Sequence, residues 1–176
     1  MSRNMWNISE IKSKSQKDPK YFVQQQCKIL SDLTKGKIIG RVSEYDGVYR
    51  SEYKGANTLN LESLIKASEA IGAGKKFDIQ KKLGAGDEDE RFVYEFFITS
   101  EKTSKYKYRI CFLYYSILLY PVGITLEKSI ADELDLKDEF KLNSEEEFIE
   151  FLEKLLSSKR VTSVISNLLI LNEEVE

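Results

Sequence analysis

The chain has 176 residues, of which 41% are apolar and 32% are charged. This balance is typical of a globular protein and differs from that of disordered chains and integral membrane proteins. The longest apolar stretch, residues 110–126, is interrupted by Ser116, Pro121 and Gly123, so it does not predict a membrane-spanning helix. The first residues contain no continuous apolar run, which argues against a secretory signal and predicts a cytoplasmic protein.

The net charge of -2 conceals a gradient along the chain. Residues 1–41 carry 9 basic and 3 acidic side chains, whereas residues 130–176 carry 5 basic and 13 acidic ones. Ends of opposite charge either attract one another in the fold or each face a partner of opposite charge. The first interpretation is the simpler one, and the sequence leaves both open.

The first third of the chain predicts two helices and a hairpin. Asp18, followed by proline, starts a helix whose apolar residues recur at helical spacing as far as Leu33. Residues 38–53 form a β-hairpin pattern around Asp46-Gly47, a pair that favours a tight turn. A short helix over residues 60–72 follows.

The middle of the chain changes to a period of two, which is typical of strands. Apolar residues alternate over residues 77–83, 92–98 and 106–114, and a further apolar strand is predicted over residues 117–126. The connections between the later strands are short, so these segments predict an antiparallel meander that forms the core.

The last third returns to helical patterns. Residues 129–134 predict a helical turn, residues 140–142 a brief strand, and Ser144 to Glu147 a capping box that starts a longer helix. An apolar stripe continues in a second helical segment over residues 161–169. We therefore expect one α+β domain over residues 1–176: a central antiparallel meander with an N-terminal helix, a short middle helix and C-terminal helices packed on the sheet. Residues 1–17 are expected to be flexible, and residues 172–176 to be a frayed acidic tail.

The chain contains no histidine, so every mechanism that uses an imidazole as acid, base, nucleophile partner or metal ligand is excluded. The two cysteines, Cys27 and Cys111, fall in apolar patterns and are predicted to be reduced core residues. An enzyme would have to rely on carboxylates, lysine or tyrosine. The sequence therefore argues against catalysis without settling it.

Three segments imitate catalytic or metal-binding motifs. Residues 72–76 resemble a phosphate loop but lack its first glycine and its final hydroxyl residue. Residues 84–90 hold four adjacent acids without the spacing of a calcium loop. Glu139-Phe140-Lys141, combined with Asp78 or Asp132, matches a metal-dependent nuclease only loosely. We assign no catalytic residue, cofactor or metal ligand from them.

A strand with alternating basic and aromatic residues is the feature that suggests nucleic-acid binding. Lys105, Lys107 and Arg109 alternate with tyrosines, and cations beside aromatic rings suit phosphate contacts and base stacking. Alternation also predicts an ordinary amphipathic strand, with the tyrosines in the core and the cations in water. Nucleic-acid binding is therefore kept as an alternative.

Two further features suggest protein recognition. The predicted hairpin carries three tyrosines, and tyrosine is enriched at protein interfaces. The helix after Ser144 carries acidic residues at helical spacing, away from its apolar stripe. The candidate partner-binding residues are Tyr45, Tyr49, Tyr53, Glu146, Glu150 and Glu153.

These observations favour a non-catalytic protein that binds another protein. Such a protein could be an inhibitor, an immunity or antitoxin-like protein, or a complex subunit. The expected partner has a basic surface, and neither a cofactor nor a membrane is expected to be involved. The alternatives are a nucleic-acid-binding accessory protein and a carboxylate-dependent hydrolase or nuclease.

Overall fold

The structure, a computed structural model, describes residues 17–47, 91–102 and 106–173. The described elements belong to one compact unit, which includes residues 17–45, 91–102 and 106–173. In chain order they are α1 (Pro19–Leu33), β1 (Ile38–Glu44), β2 (Phe92–Ser100), β3 (Tyr108–Tyr115), β4 (Val122–Leu126), α2 (Lys128–Leu134), β5 (Glu139–Leu142), α3 (Glu145–Leu156) and α4 (Lys159–Glu173). The predicted α+β class is confirmed.

The five strands form one antiparallel sheet in the order β1-β2-β3-β4-β5, so the predicted meander is also confirmed. The last strand of the predicted meander is shorter than expected, because residues 117–121 form a turn with a cis Tyr120–Pro121 peptide before β4 begins. The predicted helix at residues 60–72, the strand at residues 77–83 and the return arm of the hairpin, residues 49–53, lie outside the described residues.

Side-chain caps start the helices where the sequence places them. Asp18 Oδ1 accepts a hydrogen bond from the Lys20 amide at 2.9 Å and begins α1. Ser144 Oγ accepts one from the Glu147 amide at 3.2 Å and begins α3. The predicted capping box is only half formed, since the Glu147 carboxylate accepts from the Asn143 amide at 2.7 Å instead of from that of Ser144.

The core lies between one face of the sheet and the helices, as expected for a two-layer α+β fold. Helix α1 packs so closely on β1 that a Cβ atom at Gly40 would lie 2.9 Å from Cys27 Sγ. Cys27 and Cys111 are buried and unbonded, as predicted, and burial raises the pKa of Cys27 to about 12. The completely buried large side chains come from strands and helices alike: Val23, Ile38, Phe96, Ile98, Ile110, Leu113, Val122, Ile124, Ile130, Phe148, Leu155 and Val161.

A β-bulge between Arg109 and Cys111 reverses the alternation of β3. Before the bulge the even-numbered residues of the strand pack toward the helices, as predicted, and after it the odd-numbered residues do so. The expectation that Phe112 and Tyr114 share this core face is therefore wrong, because one extra residue in a strand moves every later side chain to the opposite face.

The C-terminal helix is longer than the apolar pattern over residues 161–169 predicted. Helix α4 extends to Glu173, and Asn172 is buried, with its side-chain Nδ2 donating to the Leu168 carbonyl at 2.7 Å. Helix α4 thus includes the first two residues of the predicted frayed tail, whereas residues 174–176 lie outside the described residues. Among the helices that the structure describes, none is both long and apolar enough to cross a membrane.

Candidate protein-binding groove

The three predicted acidic residues of α3 form one exposed stripe. Glu146, Glu150 and Glu153 are all exposed, while Phe148, Phe151, Leu152 and Leu155 of the same helix are buried. The pKa of Glu146 is lowered by hydrogen bonds from its own amide and from Ser144, so this carboxylate is charged at neutral pH. The stripe, which we call the acidic stripe, therefore presents three adjacent negative charges at a spacing that weakens an isolated helix.

An apolar groove runs beside the acidic stripe, between α1 and α3. Its volume is about 590 Å³, and Glu153 of the stripe forms part of its rim. The groove is lined by Phe22, Gln26, Ile149, Leu152, Glu153, Leu156 and Ser157.

A second cavity of about 170 Å³ extends this groove toward α4 and shares Gln26 and Leu156 with the first. Phe96 and Ile98 of β2 also line it, together with Ile165 of α4. We refer to the two cavities together as the binding groove. Its walls come from helices that are far apart in sequence and meet only in the fold.

The α1 wall of the binding groove is unusually open. Leu33 is 78% exposed and Ile29 is 47% exposed, although both line the groove. Leu33 belongs to the apolar residues that recur at helical spacing in α1, but its exposure shows that no described residue covers it.

Of the three tyrosines of the predicted hairpin, only Tyr45 lies within the described residues. The Tyr45 amide donates to the Val93 carbonyl at 2.9 Å, and its half-buried ring packs edge-on against Phe112 with a centroid separation of 4.9 Å. Tyr49 and Tyr53 lie outside the described residues. Of the three predicted tyrosines the structure therefore describes only Tyr45, whose ring packs on the sheet.

The basic strand proposed for nucleic acid is partly neutralised within the fold. Lys107 forms an ion pair with Glu95, and Arg109 Nε donates to the same carboxylate at 2.8 Å. Lys105 lies outside the described residues. The expectation that Lys107 points freely into water is wrong, because its side chain is only 30% exposed and its ammonium lies 4.0 Å from the Phe97 ring centroid.

Glu95, which sequence reasoning missed, is the centre of this charged cluster. The residue is 5% exposed, and Ser43 Oγ also donates to it at 3.1 Å. Burial raises the pKa of Glu95, but the hydrogen bonds and charges of Lys107 and Arg109 outweigh burial and lower it. Glu95 is the one charged residue among the apolar and aromatic residues of β2. This charge within an apolar strand is the sequence feature that could have identified it.

The described residues do not assemble the loose nuclease motif into a recognisable metal site. Glu139 and Lys141 lie on β5, and the Tyr114 hydroxyl donates to Glu139 at 2.8 Å. Asp132 is on α2, whereas Asp78 lies outside the described residues. Over residues 17–47, 91–102 and 106–173, no three acidic or cysteine side chains are grouped so that they could hold a metal ion. The motif-like segments at residues 72–76 and 84–90 also lie outside the described part.

Comparisons of the chain with protein-family models, with curated proteins and with solved structures give no match.

Proposed function

We propose that this protein acts without catalysis, by binding another protein through the acidic stripe of α3. The observation that carries the proposal is the exposure of Glu146, Glu150 and Glu153 on one side of a well-buried helix. Folding does not require three like charges at this spacing, because they repel one another at helical contact distance. A partner with a basic surface would relieve that repulsion.

The charged cluster on β3 supports this proposal over the nucleic-acid alternative. Lys107 and Arg109 are engaged with Glu95, so phosphate groups would have to compete with a carboxylate that is already in place. The whole chain also carries a net charge of -2, which disfavours association with a polyanion.

The proposal is tested by retrieving the partner from the native host with the full-length protein as bait at low salt. The double variant Glu150→Lys with Glu153→Lys is expected to lose the protein that the wild type retains. A matched variant, Asp132→Lys with Asp138→Lys, makes the same charge change at exposed positions outside α3 and is expected to retain it. If the wild type retains nothing, or if both variants retain the same protein equally, the proposal is wrong.

A further inference from the structure

The partner element that fits this site can be identified from the chemistry of the binding groove. The groove follows α1 from Phe22 to Leu33, which corresponds to roughly 16 Å of helix at 1.5 Å per residue. Three turns of a second helix have the same length. Apolar side chains at i, i+4, i+7 and i+11 of such a helix would therefore meet the groove along its course.

The walls of the binding groove favour a helix over an extended peptide. An extended peptide gains its affinity chiefly by pairing its backbone with an exposed sheet edge. The groove is formed instead by side chains of helices and of β2, whose backbone hydrogen bonds are used within the helices and the sheet. A helix satisfies its own backbone groups and can enter an apolar groove without losing hydrogen bonds.

The negative charge at the rim of the binding groove indicates that the partner helix carries basic residues beside its apolar face. Glu153 lines the groove, and Glu150 and Glu146 continue the acidic stripe along the same side of α3. Cations on the partner helix, next to its apolar face, would lie opposite these carboxylates. Such complementary charges fix the orientation of a helix in a groove and accelerate its association.

We propose that the binding groove receives an amphipathic helix of a partner protein, with its apolar face between α1 and α3 and a basic flank against the acidic stripe. This inference rests on the proposed function and specifies the kind of partner element that the site accepts.

The probe is a labelled synthetic peptide of about 14 residues that forms a helix, with leucines on one face and lysines beside them. A second peptide has the same composition but no common apolar face. Fluorescence anisotropy with the full-length protein is expected to show binding of the first peptide and at least about tenfold weaker binding of the second. Equal binding of the two peptides would overturn the proposal.

Two variants locate the peptide. Leu33→Glu places a charge in the groove and is expected to weaken binding about tenfold. Ile117→Glu makes the same change at a 74% exposed residue in the turn between β3 and β4 and is expected to leave binding unchanged. Because both residues are largely exposed, both variants are expected to melt within about 2 °C of the wild type. Unchanged binding by Leu33→Glu, or equal loss in both variants, would contradict the assignment.

Other occupants give different results, and each would overturn the proposal. A second copy of the chain would make the wild type dimeric and Leu33→Glu monomeric in analytical ultracentrifugation. If the chain's own residues 1–16 occupied the groove, a peptide of that sequence would displace the probe. We expect neither result.

Failure of this inference can be separated from failure of the proposed function. If a host protein binds through the acidic stripe but is unaffected by Leu33→Glu, the function stands and the helix-in-groove inference is wrong. If the probe binds in the groove but no host protein is retained, the groove does accept an amphipathic helix and the proposed function is wrong.

Discussion

Glu95 is a buried carboxylate on the sheet face opposite the helices, and three side chains from two neighbouring strands satisfy it. Ser43 comes from β1, Arg109 from β3 and Lys107 from the residue just before β3. A buried charge is tolerated only when it is paired and hydrogen-bonded, and removing one partner leaves it uncompensated. The cluster therefore ties β2 to both of its neighbours, β1 and β3.

Lys107→Glu is expected to destabilise the protein by about 2 to 3 kcal/mol, because it replaces the partner of a buried carboxylate with a second negative charge. The matched control is Lys37→Glu, which reverses an ion pair with Glu173 whose side chains are 46% and 68% exposed. Such an exposed pair contributes little, so the control is expected to change stability by about 0.5 kcal/mol or less. Urea unfolding measures both, and equal losses would contradict the role of Glu95.

The pH dependence of stability provides an independent check on Glu95. Its pKa is lowered in the folded state from an ordinary 4.5, so the ionised group stabilises the fold above that value, and the contribution is lost as the pH falls through the lower, folded pKa. Glu95→Gln is therefore expected to be less stable than the wild type at neutral pH, with a difference that shrinks below about pH 4.5. Urea unfolding over this range checks it. A difference that stays constant with pH would argue against an ionised Glu95.

Helix α4 begins with the help of a side chain from another helix. The Glu133 carboxylate of α2 accepts from the Lys159 amide at 2.6 Å and from the Arg160 amide at 2.9 Å. The first amides of a helix have no intrahelical partner, and an acidic group there also interacts favourably with the helix dipole. The Glu133 cap therefore stabilises the start of α4 and links it to α2.

Glu133→Ala is expected to destabilise the protein by about 1 kcal/mol, the usual loss when a cap is removed. Asp132→Ala, at the exposed neighbouring position, is expected to change stability by less than about 0.5 kcal/mol. Thermal unfolding followed by circular dichroism compares them. If the two variants melt together, the carboxylate does not cap α4 in solution.

At the scale of the whole molecule, the opposite charges of the two ends are partly matched within the fold. Lys37 Nζ lies 3.5 Å from Glu173 Oε1, and the Lys17 amide donates to Glu145 at 3.2 Å. Of these two contacts, only that between Lys37 and Glu173 pairs opposite charges, because the Lys17 donor is an uncharged backbone amide. The acidic stripe does not take part, since none of its carboxylates forms an ion pair with another residue in the described ranges.

Because the acidic stripe is exposed, association with the proposed partner is expected to be fast at low salt and to slow at least tenfold between about 20 mM and about 500 mM salt. Dissociation is expected to change much less, because the apolar groove would hold the bound state. Surface plasmon resonance measures both rates. In Glu150→Lys with Glu153→Lys the salt dependence of association is expected to flatten, and a salt-independent rate in the wild type would exclude the stripe as the contact.

The sequence by itself determined the fold class and most of the local structure. Caps at Asp18 and Ser144, helical stripes and period-two strands each depend on residues close together in the chain, so their patterns are visible without a fold. The acidic stripe is predictable for the same reason, since three residues at helical spacing share one side of a helix whatever surrounds it. The free cysteines follow from their apolar neighbours.

Tertiary structure decided everything that depends on residues far apart in sequence. The β3 bulge depends on how two strands pair, and it reversed the predicted facing of Phe112 and Tyr114. The Glu95 cluster and the binding groove each require several elements to meet, and the exposure of Leu33 depends on what lies across from its helix. Periodicity identifies which side of an element is apolar, but only packing determines whether that side is covered.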